Sequence, residues 1–247
     1  MRYKTNYILI IGAKSDIGKA IAKKYAENGY NLYLAARNSK KLNNFANDIK
    51  IRNNNSTKCI DLDILDYSSH NLIYHSLEIK PIGVIVVAGY LGDQKKAQIN
   101  FDESKKIIDS NFTGIVSILN IISYDFKNSK NRFIIGISSV AGERGRKNNY
   151  IYGSAKSALS TYLSGLRNQL YESKVHIMTV KPGFVKTNMT KHMKLPRRLT
   201  SEPFEVAETI YNAQQKGKDV VYVKSIWKFI MFFIRSIPEW KFKRMNI

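Results

Sequence analysis

The chain alternates short apolar runs with longer segments in which apolar positions recur at helical spacing. Tyr7–Ile11 is apolar throughout and ends at Gly12. Ile17, Ala20, Ile21 and Tyr25 then recur with a period near 3.6 up to residue 28, and Gly29 ends that helix. The pattern repeats along the chain. It predicts strands over Asn31–Ala36, 57–62, 83–88, 132–138, 175–180 and Val220–Val223. Between them it predicts helices from Ser39 to Phe45 and over 104–124, 151–173 and 203–216, with Ser201 as N-cap of the last. The run 83–88 (GVIVVA) has no polar face, as expected of a strand covered on both sides. Strands alternating with helices predict an α/β fold, a seven-stranded parallel sheet between helices, in one domain over 1–223. Only 184–202 and 224–247 stand outside the alternation.

Composition narrows the function classes. Forty Lys+Arg against nineteen Asp+Glu give 40 − 19 = +21 over 247 residues, and 44% of the chain is hydrophobic, so a folded, basic domain is expected. The single cysteine, Cys59, excludes a disulfide framework and a cysteine-built metal site, and no metal is expected. No zinc finger, basic zipper or RNA-binding signature accompanies the charge, so no nucleic-acid partner is expected. The polar start before Tyr7 does not look like a signal peptide, and no run approaches the ~20 apolar residues of a bilayer span. The chain is expected to be cytoplasmic.

The chemistry begins at the turn after the first strand, GAKSDIG. Gly12 permits a tight turn, Gly18 lets the helix approach the sheet, and the helix N-terminus offers N–H groups to a pyrophosphate. The glycines are six apart, with Asp16 where a middle glycine is common; two glycines here also suit packing alone. Arg37 ends the second strand, where an acid would bind a ribose hydroxyl and an arginine suits a 2′-phosphate; Lys14 could join it. Asp63 could accept from an adenine amino group, with Asp61 as competitor. Tyr152 and Lys156 share a helix face at i, i+4, and a neighbouring ammonium would lower the phenol from its ordinary ~10. Ser138 and Ser139 end the fifth strand. Asn111 lies on an apolar stripe with Ile108, Ile115, Ile118 and Ile122.

Together these motifs resemble the short-chain dehydrogenase/reductase family over nearly the whole chain, which implies a Rossmann-type doubly wound domain. The resemblance selects Ser139, thirteen residues before the tyrosine, and implies a catalytic tetrad of Asn111, Ser139, Tyr152 and Lys156. It implies a nicotinamide cofactor, NADPH through Arg37 with NADH as the alternative. Its implied contacts are Gly12, Lys14, Ser15, Asp16, Ile17, Gly18, Arg37, Asp63, Ile64, Ala88, Gly89, Tyr152, Lys156, Pro182, Gly183, Val185 and Thr187. Asp16 departs from the family pattern. So does Val86-Val87-Ala88-Gly89, which replaces Asn-Asn-Ala-Gly and loses the asparagine side-chain contacts.

Finer features resemble the keto-reductases that complete the 2′-epimerisation of decaprenylphosphoryl-ribose: GYLGDQ after the fourth strand, the run 138–156, and the tail. That resemblance implies a lipid-linked or phosphorylated keto-sugar substrate in cell-envelope glycan synthesis and a flavin-dependent oxidase as partner. A 3-ketoacyl-carrier-protein reductase and a non-catalytic NAD(P)-sensing protein are the alternatives. The segment 184–202 reads as a substrate lid carrying Lys186, Lys191, His192, Lys194, Arg197 and Arg198, with no role for His192. In the tail, Lys224, Lys228 and Arg235 fall on one face of a helix otherwise covered by Ile226, Trp227, Phe229, Ile230, Phe232, Phe233 and Ile234. A short, apolar helix with a basic stripe suits an anionic membrane surface; a subunit interface in a homo-oligomer is the competing use.

Overall fold

A computed structural model of the chain describes residues 6–191 and 193–245; His192 and the ends of the chain lie outside the described residues. The seven strands are β1 (Tyr7–Ile11), β2 (Asn31–Ala36), β3 (Thr57–Asp61), β4 (Gly83–Val86), β5 (Phe133–Ile137), β6 (His176–Pro182) and β9 (Val220–Val223). They pair in the order β3-β2-β1-β4-β5-β6-β9, all parallel.

Alternation along each strand separates two cores. Ile8 and Ile10 of β1, with Leu32, Leu34, Ile85, Ile135 and Met178, pack under α1 (Asp16–Glu27), α2 (Asn43–Asn53) and α8 (Pro203–Gln215). Tyr7, Leu9 and Ile11, with Tyr33, Val84, Val86, Ile134 and Ile177, pack under α3 (His70–His75), α6 (Gly114–Lys127) and α7 (Tyr150–Gln169). A strand whose successive side chains point to opposite layers must be apolar throughout, which is the pattern of β1 and β4. This is the single doubly wound α/β domain expected. The strand order reverses between β1 and β4, and a crevice opens there at the carboxyl ends of the strands.

Several boundaries differ from expectation. The helix expected over 104–124 is α5 (Phe101–Ile108), a π-turn over Asp109–Thr113, and α6. The π-turn inserts one residue into the helical register. The apolar stripe therefore runs through Ile107, which is buried, and Ile108 is exposed. Residues 101–127 pass for a membrane span by length and composition. Their Ile115, Ile118, Leu119, Ile122 and Phe126 are fully buried in the domain core. Ser39 opens a 3-10 turn rather than capping a helix, and α2 follows it. Glu202, not Ser201, precedes α8; Glu205 Oε2 accepts its N–H at 2.7 Å, and Ser201 belongs to a short strand. α3 and α4 (Gln94–Ile99) carry too few apolar positions to show a period.

The two segments outside the alternation pack onto the crevice. The lid is closed at its base by β7 (Phe184–Val185) pairing with β8 (Thr200–Ser201). The tail forms α9 (Ile226–Ser236) and α10 (Glu239–Phe242). Lys224 does not share the helix face: it sits before α9 at φ 59° and reaches the Thr200 carbonyl.

Candidate active site

The phosphate turn is built by close approach. Gly12 holds φ 93°, and a Cβ there would stand 2.6 Å from Ala88 N. Only glycine allows both. Ser15 caps α1, donating to Gly12 O at 2.8 Å and accepting from Gly18 N at 3.0 Å. Lys14, Ser15, Asp16 and Ile17 line the cleft, whereas Gly12, Gly18 and Ala88 lie packed behind them. Asp16, the departure from a glycine, has a definite role. Its carboxylate accepts from Asn188 N at 2.7 Å and Asn188 Nδ2 at 3.3 Å, tying the lid to the turn across 172 residues of sequence.

At the end of β2, Lys14 Nζ donates to Arg37 O at 3.0 Å; Arg37 lies outside the main cleft. Arg37 lies 3.9 Å from Asp63. Asp61 accepts from Asn38 N at 3.0 Å. The structure thus turns Asp63, not Asp61, towards Arg37. Ile64 packs its backbone against Gly114 of α6 and is not in the main cleft.

The opposite wall carries the reacting groups. Ser139, Tyr152 and Lys156 line the cleft together; Ser139 Oγ accepts from Ala141 N at 3.1 Å and is near enough to the Tyr152 phenol to favour its ionised form. Ser138 also touches the cleft, but its hydroxyl is held by Lys156 O at 2.9 Å and Ser160 Oγ at 2.7 Å. Ser139 is therefore the serine with its hydroxyl aimed at the tyrosine. Asn111 is fully buried behind them. Its amide donates to Tyr90 O at 2.6 Å and to Ile107 O at 2.8 Å. Gly89 lies between Asn111 and Lys156.

The electrostatics correct one expectation. Burial pushes the Tyr152 phenol up to about 12, partly opposed by Ser139, and pulls Lys156 down to about 7. Lys156 Nζ is 5.7 Å from the Tyr152 ring centre and donates to Ile137 O at 2.9 Å. It does not lower the phenol in the free protein. Desolvation of both groups outweighs their coupling.

The remaining cleft contacts are Val87, Pro182, Gly183, Val185 and Thr187, with Leu91, Val140, Phe184, Met189 and Met193. Trp227, which the helical pattern groups with the exposed apolar face, is buried. Its indole donates to Leu199 O at 3.1 Å and lies so close to Gly183 that a Cβ there would fall 2.0 Å from the ring. A helix that is apolar everywhere outside its stripe of Lys228 and Arg235 gives no sign of which apolar positions turn inward, so its pattern does not single out Trp227 and Met231. Arg146 and Asn149, also in the cleft, have no sequence signature.

The family model for short chain dehydrogenases matches residues 6–197. The chain belongs to the short-chain dehydrogenase family. As a member it is an NAD(P)H-dependent oxidoreductase. This short-chain dehydrogenase is 32% identical over 241 residues to an uncharacterised oxidoreductase of Mycobacterium tuberculosis, covering 96% of each chain. Its fold is similar to a short-chain dehydrogenase from Sphingobium yanoikuyae solved with NADPH (TM-score 0.81, 20% identity, 95% and 97% covered). It is also similar to a 3-oxoacyl-[acyl-carrier protein] reductase from Brucella melitensis with bound NAD (TM-score 0.78, 19% identity, 90% and 89% covered).

Proposed function

We propose that this dehydrogenase reduces a ketone with NADPH, and that the ketone is a keto-sugar carried on a polyprenyl phosphate. The observation that carries the reductase reading is the meeting of Ser139, Tyr152 and Lys156 on one cleft wall, facing the phosphate turn. The residues fit the cofactor: a cradle closed to any Cβ at Gly12, a capped helix N-terminus, and Lys14 and Arg37 at the end of β2. The bound nicotinamide would supply a hydride to the carbonyl carbon. Tyr152 stays protonated at neutral pH and gives its proton to the oxygen of the forming alcohol. Ser139 hydrogen-bonds that oxygen and sets its position. Lys156 holds the ribose side of the cleft, and Asn111 fixes the backbone at Tyr90.

Three features support the lipid-linked sugar. The substrate side is walled by Leu91, Phe184, Met189, Met193 and Trp227. Lys186, Lys191 and Arg197 line an adjoining groove under the lid. Beyond it α9 exposes Phe229, Phe232 and Phe233 beside Lys228 and Arg235, a face suited to an anionic membrane. The overall positive charge also suits an acidic acyl-carrier protein, which keeps 3-ketoacyl reduction as the second reading.

NADPH oxidation with a polyprenyl-phosphate 2-keto sugar, and with 3-ketoacyl carrier protein, separates them. Turnover of the sugar alone, reduced at least a thousandfold in Tyr152→Phe, is expected. Turnover of the carrier substrate alone sinks the sugar reading. For the membrane, serine at Phe229, Phe232 and Phe233 together should release the protein from phosphatidylglycerol vesicles; unchanged binding refutes the anchor. Truncation after Val223 is a poor test, because it also removes Trp227 from the cleft.

A further inference from the structure

Two arginines leave the loop between Ser139 and α7, and they are used differently. Arg144 is fully engaged. It donates to the carbonyls of Ile234, Arg235 and Ile237 at 2.8, 3.0 and 2.6 Å, pairs with Glu239 at 2.8 Å, and stacks on Phe242. It is a C-terminal cap for α9. Arg146 lines the cleft with Tyr152, and its only side-chain hydrogen bond among the described residues is to Met231 Sδ at 3.1 Å. Its Nε is buried without a partner. Among the described residues no carboxylate lies within ion-pair distance of it. Glu143 is near enough to favour its charge but makes no ion pair with it: Lys181 at 2.8 Å and the Tyr222 hydroxyl both donate to Glu143 Oε1, and Oε2 lies 4.0 Å from Arg235.

Asn149 is a second unspent group. It occupies the N-cap position of α7, where its side chain would ordinarily accept from the first turn, yet it makes no cap bond. Its Oδ1 is buried without a partner, and the residue lines the cleft. A half-buried guanidinium whose Nε is buried without a partner, and a buried amide oxygen at the same cavity wall, are costly to the fold unless a ligand completes them. The cations of the lid differ: Lys191, Lys194, Arg197 and Arg198 are exposed to solvent.

We infer that Arg146, with Asn149 beside it, is the specificity-determining pair of the substrate cleft, taking a phosphate and an adjacent hydroxyl on a ketone held at Tyr152. This rests on the reductase reading and deepens it. A guanidinium presents parallel N–H donors that match phosphate oxygens. An orphan amide oxygen calls for a hydroxyl donor. The ligand class is therefore a hydroxylated, phosphorylated ketone, such as a 2-keto sugar bearing phosphate on the neighbouring carbon. The apolar walls would then carry the group esterified to the far side of the phosphate.

Dihydroxyacetone phosphate has this connectivity in its smallest form, and dihydroxyacetone is its neutral match. Calorimetric affinities for both should be measured on the NADP⁺-loaded protein. The wild type should bind the phosphate at least tenfold more tightly. Arg146→Gln should bring the two affinities together, and Arg146→Lys should retain part of the difference. Unchanged NADPH affinity and melting temperature would show that each variant is folded; should Arg146→Gln fail that check, Arg146→Lys and the wild-type ratio decide. Equal affinities in the wild type, including no binding of either probe, overturn the inference. So does discrimination that survives Arg146→Gln. Reduction of the neutral ketone ethyl acetoacetate, lost in Tyr152→Phe, reads the reductase assignment separately.

Discussion

Lys156 offers a direct test of how this cleft stores instability for function. Its ammonium is 3% exposed, and burial lowers it from 10.5 to about 7. Carrying the charge in that site costs several kcal/mol of fold stability at or below about pH 7. Replacing Lys156 with methionine keeps the length of the side chain and removes the charge. It also leaves Ile137 O without its 2.9 Å donor, a loss of about 1–3 kcal/mol. The variant should therefore be more stable than the wild type by roughly 2 kcal/mol at pH 7, and inactive. The pH dependence has a definite sign. The folded protein binds fewer protons than the unfolded chain between pH 7 and 10.5, so wild-type stability rises with pH there, by up to ~1.4 kcal/mol per unit. The advantage of Lys156→Met should shrink by about 2–3 kcal/mol between pH 7.5 and 9.5. Urea denaturation of both proteins across that range reads the difference, and shared titrations cancel. A methionine variant less stable than the wild type at pH 7, or a difference constant with pH, would refute the reasoning.

Three further substitutions probe the cleft. Ser139→Ala should lower kcat by about 10²–10³, whereas Ser138→Ala should spare most of kcat; each loses a hydroxyl hydrogen bond and should cost about 1 kcal/mol in urea denaturation. Asp16→Asn keeps an acceptor for Asn188 but removes a negative charge from the phosphate turn. NADPH, titrated by its fluorescence, should bind roughly fivefold more tightly, a gain of ~1 kcal/mol for a partly exposed charge. Weaker binding would mean that the carboxylate serves the cofactor. Arg37→Gln should weaken NADPH by tenfold or more and leave NADH unchanged; equal losses for both would remove Arg37 from the 2′-phosphate.

The chain's own pattern determined the sheet, the two helical layers and the positions of the phosphate turn and the Tyr–Lys pair. Those features depend on local periodicity and fixed spacing, which survive without knowledge of the partners. Boundaries failed where a local rule was overridden: the π-turn that carries Asn111, and α8, whose cap is set by Glu205 rather than Ser201. What long-range contact decides was not legible. Ser138 and Ser139 are adjacent in sequence, and only the packing of α7 against β5 assigns one to Lys156 and Ser160 and the other to Tyr152. Asp16 reads as a missing glycine in the sequence, and only the fold brings Asn188, 172 residues away, onto its carboxylate. An Arg two residues from another Arg carries no mark of which will be spent on a helix end. Tertiary structure decided that Arg144 closes α9 and that Arg146 lines the cleft with its Nε unpartnered. The free energy of a buried polar group depends on the partners that folding brings to it, and no sequence window contains them.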